Sequence, residues 1–200
     1  MIVICLSAKA ESGKTTFANM LQDMLMSNGN KVIRMAFANP LKEYCETEYS
    51  WDGKKDEAGR ALLQKVGQRM RNQNGEDYWV RQLLSSLKKI EKNYDFCIID
   101  DMRYLSELRL LEQSYGENCI SLRLERYDRE IENGLEIRSP YINNLTPEQR
   151  QHASECELDD VELDYYSKAY DLPSLSQEVN TFCNQNLLDI LTNIQRRNNE

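Results

Sequence analysis

Apolar positions along this chain alternate between short continuous runs and longer stripes with helical spacing. Ile2 to Leu6 is an unbroken apolar run, the pattern of a strand covered on both faces. Phe17, Met20, Leu21, Met24 and Leu25 form a stripe within Thr16 to Ser27, which predicts an amphipathic helix stopped by Asn28-Gly29-Asn30. Lys31 to Ala36 reads as a second strand. Ala58 to Met70 and Trp79 to Ile90 carry helical spacing on either side of the turn-forming Asn72 to Gly75. Phe96 to Ile99 predicts a third buried strand, Ser106 to Gln113 a helix, and Ile120 to Leu124 a fourth strand. From Tyr127 to Glu155 the periodicity dissolves into polar residues, the mark of a mobile functional segment or of disorder. A weak strand is predicted over Asp164 to Lys168. Pro173-Ser174 then opens a final helix, with Ser174 and Gln177 spaced as a capping box. Strands alternating with helices predict an α/β fold with a mainly parallel sheet.

Two hundred residues, 40% of them hydrophobic, are enough for one core, so residues 1–200 are expected to form a single domain. The formal charge of −8 argues against a protein that coats DNA, RNA or an anionic membrane, while leaving room for a local basic pocket. No apolar run is long enough to cross a bilayer and no basic leader precedes Ile2, so a cytoplasmic location is expected. The six cysteines are scattered and His152 is the only histidine, which excludes a clustered zinc site. Cys5, Cys97 and Cys119 lie in apolar runs and read as small buried thiols.

The strongest chemical signal lies between the first strand and the first helix, in Ser7-Ala8-Lys9-Ala10-Glu11-Ser12-Gly13-Lys14-Thr15. This is the context of a phosphate-binding loop, G-x-x-x-x-G-K-[ST]. Backbone N–H groups of such a loop and of the helix start converge on phosphate oxygens. Gly13 would permit close approach, Lys14 would reach the β- and γ-phosphates of ATP, and Thr15 would ligate Mg²⁺. Ala8, Lys9, Ala10, Glu11, Ser12, Gly13, Lys14, Thr15 and Thr16 are the expected ATP-binding residues. Ala8 stands where the first glycine belongs, and would store about 1 kcal/mol of strain if its φ were positive. The plainer alternative is a strand–turn–helix with a surface lysine. Phe96-Cys97-Ile98-Ile99-Asp100-Asp101 adds a hydrophobic strand ending in two carboxylates, and an acid at this place holds Mg²⁺ in phosphate-loop enzymes. Thr15, Asp100 and Asp101 are therefore the candidate metal ligands.

Four further segments, in order, resemble the phage-type deoxynucleoside monophosphate kinases. "FANPLKE" (Phe37 to Glu43) is similar to that family's F-A-D-P-L-K, and "RALLQKVGQRMR" (Arg60 to Arg71), followed by Trp79, is similar to another of its segments. "DMRYLSE" (Asp101 to Glu107) resembles its D-V-R-F-x-N-E, and "HASECELDD" (His152 to Asp160) its H-P-S-E-x-A-L-D. The resemblance runs from Ile2 to about Leu188. Asn39 stands where the family usually has Asp, and Thr15 where many members have Asp. The family implies a three-layer, adenylate-kinase-like α/β fold with a five-stranded parallel sheet. It also implies a monophosphate-binding region, here residues 37–95, a mobile lid, here residues 126–155, and Mg²⁺-dependent transfer from ATP to a deoxynucleoside monophosphate. A homodimer is left open.

Phosphoryl transfer independently calls for convergent cations in an otherwise acidic protein. The candidates are Lys14, Lys42, Arg60, Arg71 and Arg103 around the acceptor, and Arg123, Arg126 and Arg129 near the lid, since an Arg fork pairs two phosphate oxygens. Lys14, Arg103, Arg126 and Asp101 are the expected catalytic residues. Phe37, Lys42, Arg60, Gln64, Arg71, Trp79 and Arg103 are the expected monophosphate-binding set, with Trp79 and Trp51, Tyr49 and Tyr104 as stacking faces or as packing. Ser154 is expected to cap a short helix, Glu155 to anchor the lid, and His152 to serve a structural role. Two alternatives stand beside this reading. One is a kinase of the same fold acting on another phosphorylated molecule such as phosphomevalonate; the other is a non-catalytic nucleotide-binding module.

Overall fold

The computed structural model describes residues 1–54, 56–133, 135–142, 145–188 and 191. Its central sheet is built from β1 (Ile2–Ser7), β2 (Val32–Met35), β3 (Phe96–Met102), β4 (Cys119–Glu132) and β6 (Tyr165–Ala169). These five run parallel in the order β2-β3-β1-β4-β6, as expected. β1 lies in the middle, which is why its six residues are all buried and its sequence shows no polar alternation. Successive β1 side chains enter different cores. Ile2, Ile4 and Leu6 pack with Phe17, Leu21, Val179 and Phe182, whereas Val3 and Cys5 pack with Leu83, Leu87, Leu108 and Leu111. One face is thus covered by α1 (Lys14–Ser27) and α8 (Leu172–Thr181), the other by α4 (Tyr78–Ile90) and α5 (Leu105–Tyr115). Three layers result. Cys5, Cys97 and Cys119 are buried thiols, matching their apolar context.

Between β2 and β3 the chain forms α2 (Asn39–Tyr49), α3 (Glu57–Asn74) and α4. No apolar stripe marks α2 in the sequence, and only Cys45 of it is buried. The helix is nevertheless entered through Pro40, which fits a first turn. The Asp56 carboxylate caps α3 by accepting from Gly59 N at 2.8 Å, so that helix starts and ends slightly outside the predicted Ala58 to Met70.

The stretch after Tyr127 departs from expectation. Among its described residues a large part is regular, residues 134, 143 and 144 lying outside them: β4 continues out of the sheet to Glu132, and Asn133 follows with a left-handed backbone (φ 51). β4 there pairs antiparallel with β5 (Leu135–Pro140), Tyr127 opposite Pro140 and Glu132 opposite Leu135. All six β5 residues are exposed, so neither face of the ribbon needs to be apolar and the alternation that signals a strand is missing. Two short helices follow, α6 (Pro147–Arg150) and α7 (Ala153–Cys156). The final helix also starts differently from the prediction. Asp171, not Ser174, is its cap, accepting from Ser174 N at 2.8 Å, while Ser174 Oγ accepts from Asp171 N at 3.0 Å. A carboxylate before Pro173 outcompetes a hydroxyl inside the first turn.

Candidate active site

The phosphate loop connects β1 to α1 at the C-terminal edge of the parallel strands, where ligands of open α/β sheets bind. Its left-handed positions are Glu11 (φ 62) and Gly13 (φ 86), the latter immediately before α1. Ala8 is not left-handed, so the strain expected there is absent, and its methyl group packs against the core beside α1. Lys14 Nζ donates to Ala8 O at 3.2 Å, folding the side chain back over the loop. Burial and the nearby Arg103 push the Lys14 ammonium below its ordinary value, and Glu155, Asp101 and Asp100 partly restore it.

A cleft of about 590 Å³ runs along the loop from Lys9 to Thr16, with Ala36, Ala38, Lys42, Asp100, Asp101 and Arg103 on its opposite side. Every expected loop residue except Ala8 lines it, and Ala8 lines the cavity behind. The two strand-end acids have separate tasks. Asp101 accepts from Phe37 N at 2.7 Å and Ala38 N at 3.1 Å, pinning the Phe37–Glu43 segment to the end of β3. Burial raises its carboxyl above the ordinary value, opposed by those two backbone donors. Asp100 pairs with Arg34 on β2, which also donates to Asn19; nothing in the sequence flagged Arg34. Thr15 and the two acids supply hard oxygen donors in one cleft, a set that suits Mg²⁺. Among the described residues no cluster of three or more His, Cys, Asp or Glu forms a metal cage. Mg²⁺ is usually shared between one or two side chains and substrate phosphates and does not require such a cage.

The other predicted residues divide. Lys42 and Arg103 line the cleft. Phe37 is 5% exposed and belongs to the core, and its backbone N–H is held by Asp101, so it does not line the cleft. Trp79 is likewise 5% exposed, donates Nε1 to Gly67 O at 3.2 Å and packs edge-on to Tyr44, which makes it the packing centre of α2, α3 and α4. Trp51 donates to Lys54 O and closes over Gly59, again a packing role. Arg60 and Gln64 are exposed on α3 and do not line the cleft. Arg71 lies near Tyr104, whose hydroxyl is raised by burial and lowered by that charge.

Behind the loop lies a second cavity of about 370 Å³ between β4, the hairpin and α7. Arg126 enters it from the hairpin base. Its guanidinium donates to Glu11 O at 2.9 Å and lies 4.0 Å from the centre of the Tyr141 ring, while Tyr141 Oη donates to Glu11 Oε2 at 3.1 Å. Arg129 instead pairs with Glu136 at 3.0 Å and lies over Tyr170 at 5.2 Å. The segment from His152 to Asp160 closes the cavity. His152 Nδ1 accepts from Ser154 N, so His152 and not Ser154 caps α7. Glu155 Oε2 accepts from Ala10 N at 3.0 Å and its Oε1 from Arg103 Nη1 at 2.5 Å. Lys9 reaches Asp159 at 2.6 Å, and Arg123 reaches Leu158 O. A third, smaller space of about 170 Å³ opens between Gly13, Thr16, Arg126 and the Tyr170–Leu175 turn.

A parallel sheet with a lysine-bearing phosphate loop, a strand-end acid pair and a facing arginine is the arrangement of a phosphate-loop α/β fold. A family model described as phosphomevalonate kinase matches residues 6–117, more than half of the chain, and the chain belongs to that family. Among solved structures it is similar to "Crystal structure of APE1195" (17% identity, TM-score 0.37), covering 61% of this chain and 59% of that one. It is also similar to a shikimate kinase from Bacteroides thetaiotaomicron (12% identity, TM-score 0.45), covering 94% and 98% of the two chains. The chain thus spans somewhat more than half the length of the first of these relatives. Comparison with curated proteins returns no match. No described helix is long and apolar enough to cross a membrane.

Proposed function

We propose that this protein transfers the γ-phosphoryl group of ATP to the phosphate of a (deoxy)nucleoside monophosphate, giving the two diphosphates. The observation that carries this reading is the convergence of Lys14, Lys42 and Arg103 on one cleft that also holds Thr15, Asp100 and Asp101. Two phosphorylated substrates bring several negative charges together, and three cations in a cleft with three oxygen donors for Mg²⁺ would answer that need. Loop N–H groups and the start of α1 would hold the ATP phosphates, and Lys14 would stabilise charge that grows during transfer. Arg103, reaching from the end of β3, would draw the acceptor phosphate into line. Mg²⁺, when bound by Thr15 and the strand-end acids, supplies charge neutralisation on the β- and γ-oxygens. The small space beside Gly13 and Tyr170 would take the adenine. The nucleotide acceptor is favoured by the four-segment resemblance, whose last piece, His152 to Asp160, docks on the loop itself through Ala10 and Lys9.

A second reading has its own support, because the matching family model is named for phosphomevalonate kinase. Its acceptor would be a phosphomonoester without a base. A non-catalytic module is disfavoured, since Ala8 adopts an unstrained backbone and Lys14, Thr15 and Asp100 all line the cleft. A coupled ADP-release assay with a panel of nucleoside and deoxynucleoside monophosphates plus phosphomevalonate tests this directly. Turnover with monophosphate nucleotides, lost by about 100- to 1,000-fold in Lys14→Ala, is the expected result. Turnover with phosphomevalonate alone would replace the acceptor, and ATP binding without transfer to any of them would sink the kinase reading.

A further inference from the structure

Glu155 is the one carboxylate bound simultaneously to the phosphate loop and to the cleft arginine among the described residues. Its side chain is 7% exposed, yet it lies on α7, a four-residue helix far along the chain from both partners. One oxygen holds the N–H of Ala10, which would otherwise point at solvent or at an anion; the other holds Arg103 Nη1. Arg103 is gripped a second time by Ser154 O at 3.1 Å, and its own backbone N–H is held by Glu107 at 2.7 Å. The surrounding turn is tied down independently. Lys9 bonds Asp159 and Glu155 O, Arg123 bonds Leu158 O, and Leu105 N donates to Glu157 at 2.9 Å. Burial opposes ionisation of Glu155, but the Ala10 donor and Arg103 outweigh it and keep its carboxyl below the ordinary value.

Two roles fit a carboxylate on a phosphate loop. It would either occupy the place of a phosphate and leave when ATP arrives, or stay and aim its partners. The cavities decide between them. Glu155 lines the space behind the loop, whereas Lys14 and Thr15 line the cleft in front, and Arg103 reaches both. Ala10, whose N–H Glu155 holds, lines the cleft, but Glu155 itself does not, so the carboxylate takes up none of the cleft's lining.

We infer that Glu155 is a positioning residue for phosphoryl transfer, fixing the Arg103 guanidinium at the junction of donor and acceptor and holding the loop through Ala10. The inference rests on the proposed kinase reading. It adds a link that joins the His152–Asp160 segment to the chemistry through one arginine. Removing the charge while keeping an acceptor, as Glu155→Gln does, leaves Ala10 satisfied but lets Arg103 swing. A guanidinium displaced by about an ångström costs on the order of 100-fold in rate without weakening ATP binding.

The test is a double-mutant cycle of Glu155→Gln and Arg103→Ala, with kcat and KM for ATP measured alongside ATP affinity by titration calorimetry. Glu155→Gln is expected to lower kcat by about 100-fold with KM and affinity for ATP unchanged, and to have no further effect in the Arg103→Ala background. Equal losses in both backgrounds would mean a general structural role and overturn the inference. Tighter ATP binding by Glu155→Gln would make Glu155 a competitor of phosphate, which also overturns it. A second arm needs no acceptor: side-chain ¹⁵N resonances of Arg103, restrained in the native protein, should show fast guanidinium rotation in Glu155→Gln. Restraint that persists in the variant refutes the inference even if the kinase reading stands. Failure of every acceptor with the native protein refutes the kinase reading and leaves this arm to judge Glu155. Should Glu155→Gln unfold at assay temperature, Glu155→Asp, too short to span both partners, takes its place in both arms.

Discussion

At position 8 the phosphate-loop pattern asks for glycine and the chain supplies alanine. The loop satisfies its left-handed requirement at Glu11 and Gly13 instead, which leaves Ala8 in ordinary backbone with its methyl group against the core. Ala8→Gly therefore has no strain to relieve and adds freedom to the unfolded chain. It should destabilise the protein by roughly 0.5–1 kcal/mol, read as a lower melting temperature. A rise in melting temperature would show that the alanine is strained after all. Asp101 carries a larger stake. Its two oxygens serve two backbone donors, so Asp101→Asn turns an amide NH₂ toward one of them and leaves a buried N–H unpaired. A loss of about 1–3 kcal/mol in urea unfolding is expected. Unchanged stability would mean that the Phe37–Glu43 segment is held by other contacts. The sequence marks Asp101 as a candidate metal ligand; its hold on two backbone amides is a second role that no spacing rule announces.

The start of α5 shows how an element sets the position of a site residue. Glu107 sits in its first turn, 7% exposed, and accepts from Arg103 N at 2.7 Å and Tyr104 N at 3.0 Å. Burial pushes its carboxyl up from an ordinary 4.5 to about 8, against the pull of those donors. The folded protein therefore binds this proton more tightly than the unfolded chain does. The stabilisation is complete below about pH 4.5, declines as pH rises toward 8 and is gone above it. Glu107→Gln keeps an acceptor for both amides and has no proton to lose, so its stability should be flatter than the native protein's between pH 5 and pH 8. Parallel pH profiles for the two proteins, from chemical denaturation, would show that Glu107 is ionised in the fold at neutral pH. The hairpin of β4 and β5 makes the opposite point about elements. It is regular structure that sequence periodicity missed, since Ile131, Leu135 and Ile137 are exposed among charges on a ribbon that buries neither face.

Taken as a whole, the molecule has a rigid part, where parallel strands are buried from both sides, and a projecting part, the hairpin. Among the described residues the hairpin meets the rest through Arg126 and Tyr141 on Glu11, Arg129 and Arg138 over Tyr170, and Tyr127 beneath Lys168. Its pairing is solvent-exposed, the condition for low local stability. Amide hydrogens of β4 beyond Tyr127 and of β5 should exchange fast in the free protein. They should slow when a bisubstrate analogue with Mg²⁺ is added, because water excluded from the cleft protects the transferring group from hydrolysis. Slow exchange in both states would make the hairpin a fixed insert and leave Arg126 as a structural tie to the loop.

The sequence by itself determined the alternation of strands and helices, the place of the phosphate loop and the pairing of that loop with a strand-end acid. These are short-range facts: a run such as Ile2 to Leu6 is apolar because both faces are buried, and Gly13-Lys14-Thr15 works through its own backbone. The gathering of Lys14, Lys42 and Arg103 was legible as a list but not as a place. Trp79 and Phe37 look like ligand-facing aromatics until the packing of α2, α3 and α4 encloses Trp79 and the core between the sheet, α4 and α5 encloses Phe37. Tertiary structure alone decided that Arg34 neutralises Asp100, that Asp101 holds backbone, and that Glu155 meets Ala10 and Arg103. Glu155 is 145 residues from Ala10. No periodicity carries information over that distance, because the register between them is set by how β4, β6 and the hairpin between them pack against the sheet, and a buried ion pair has no spacing rule to announce it.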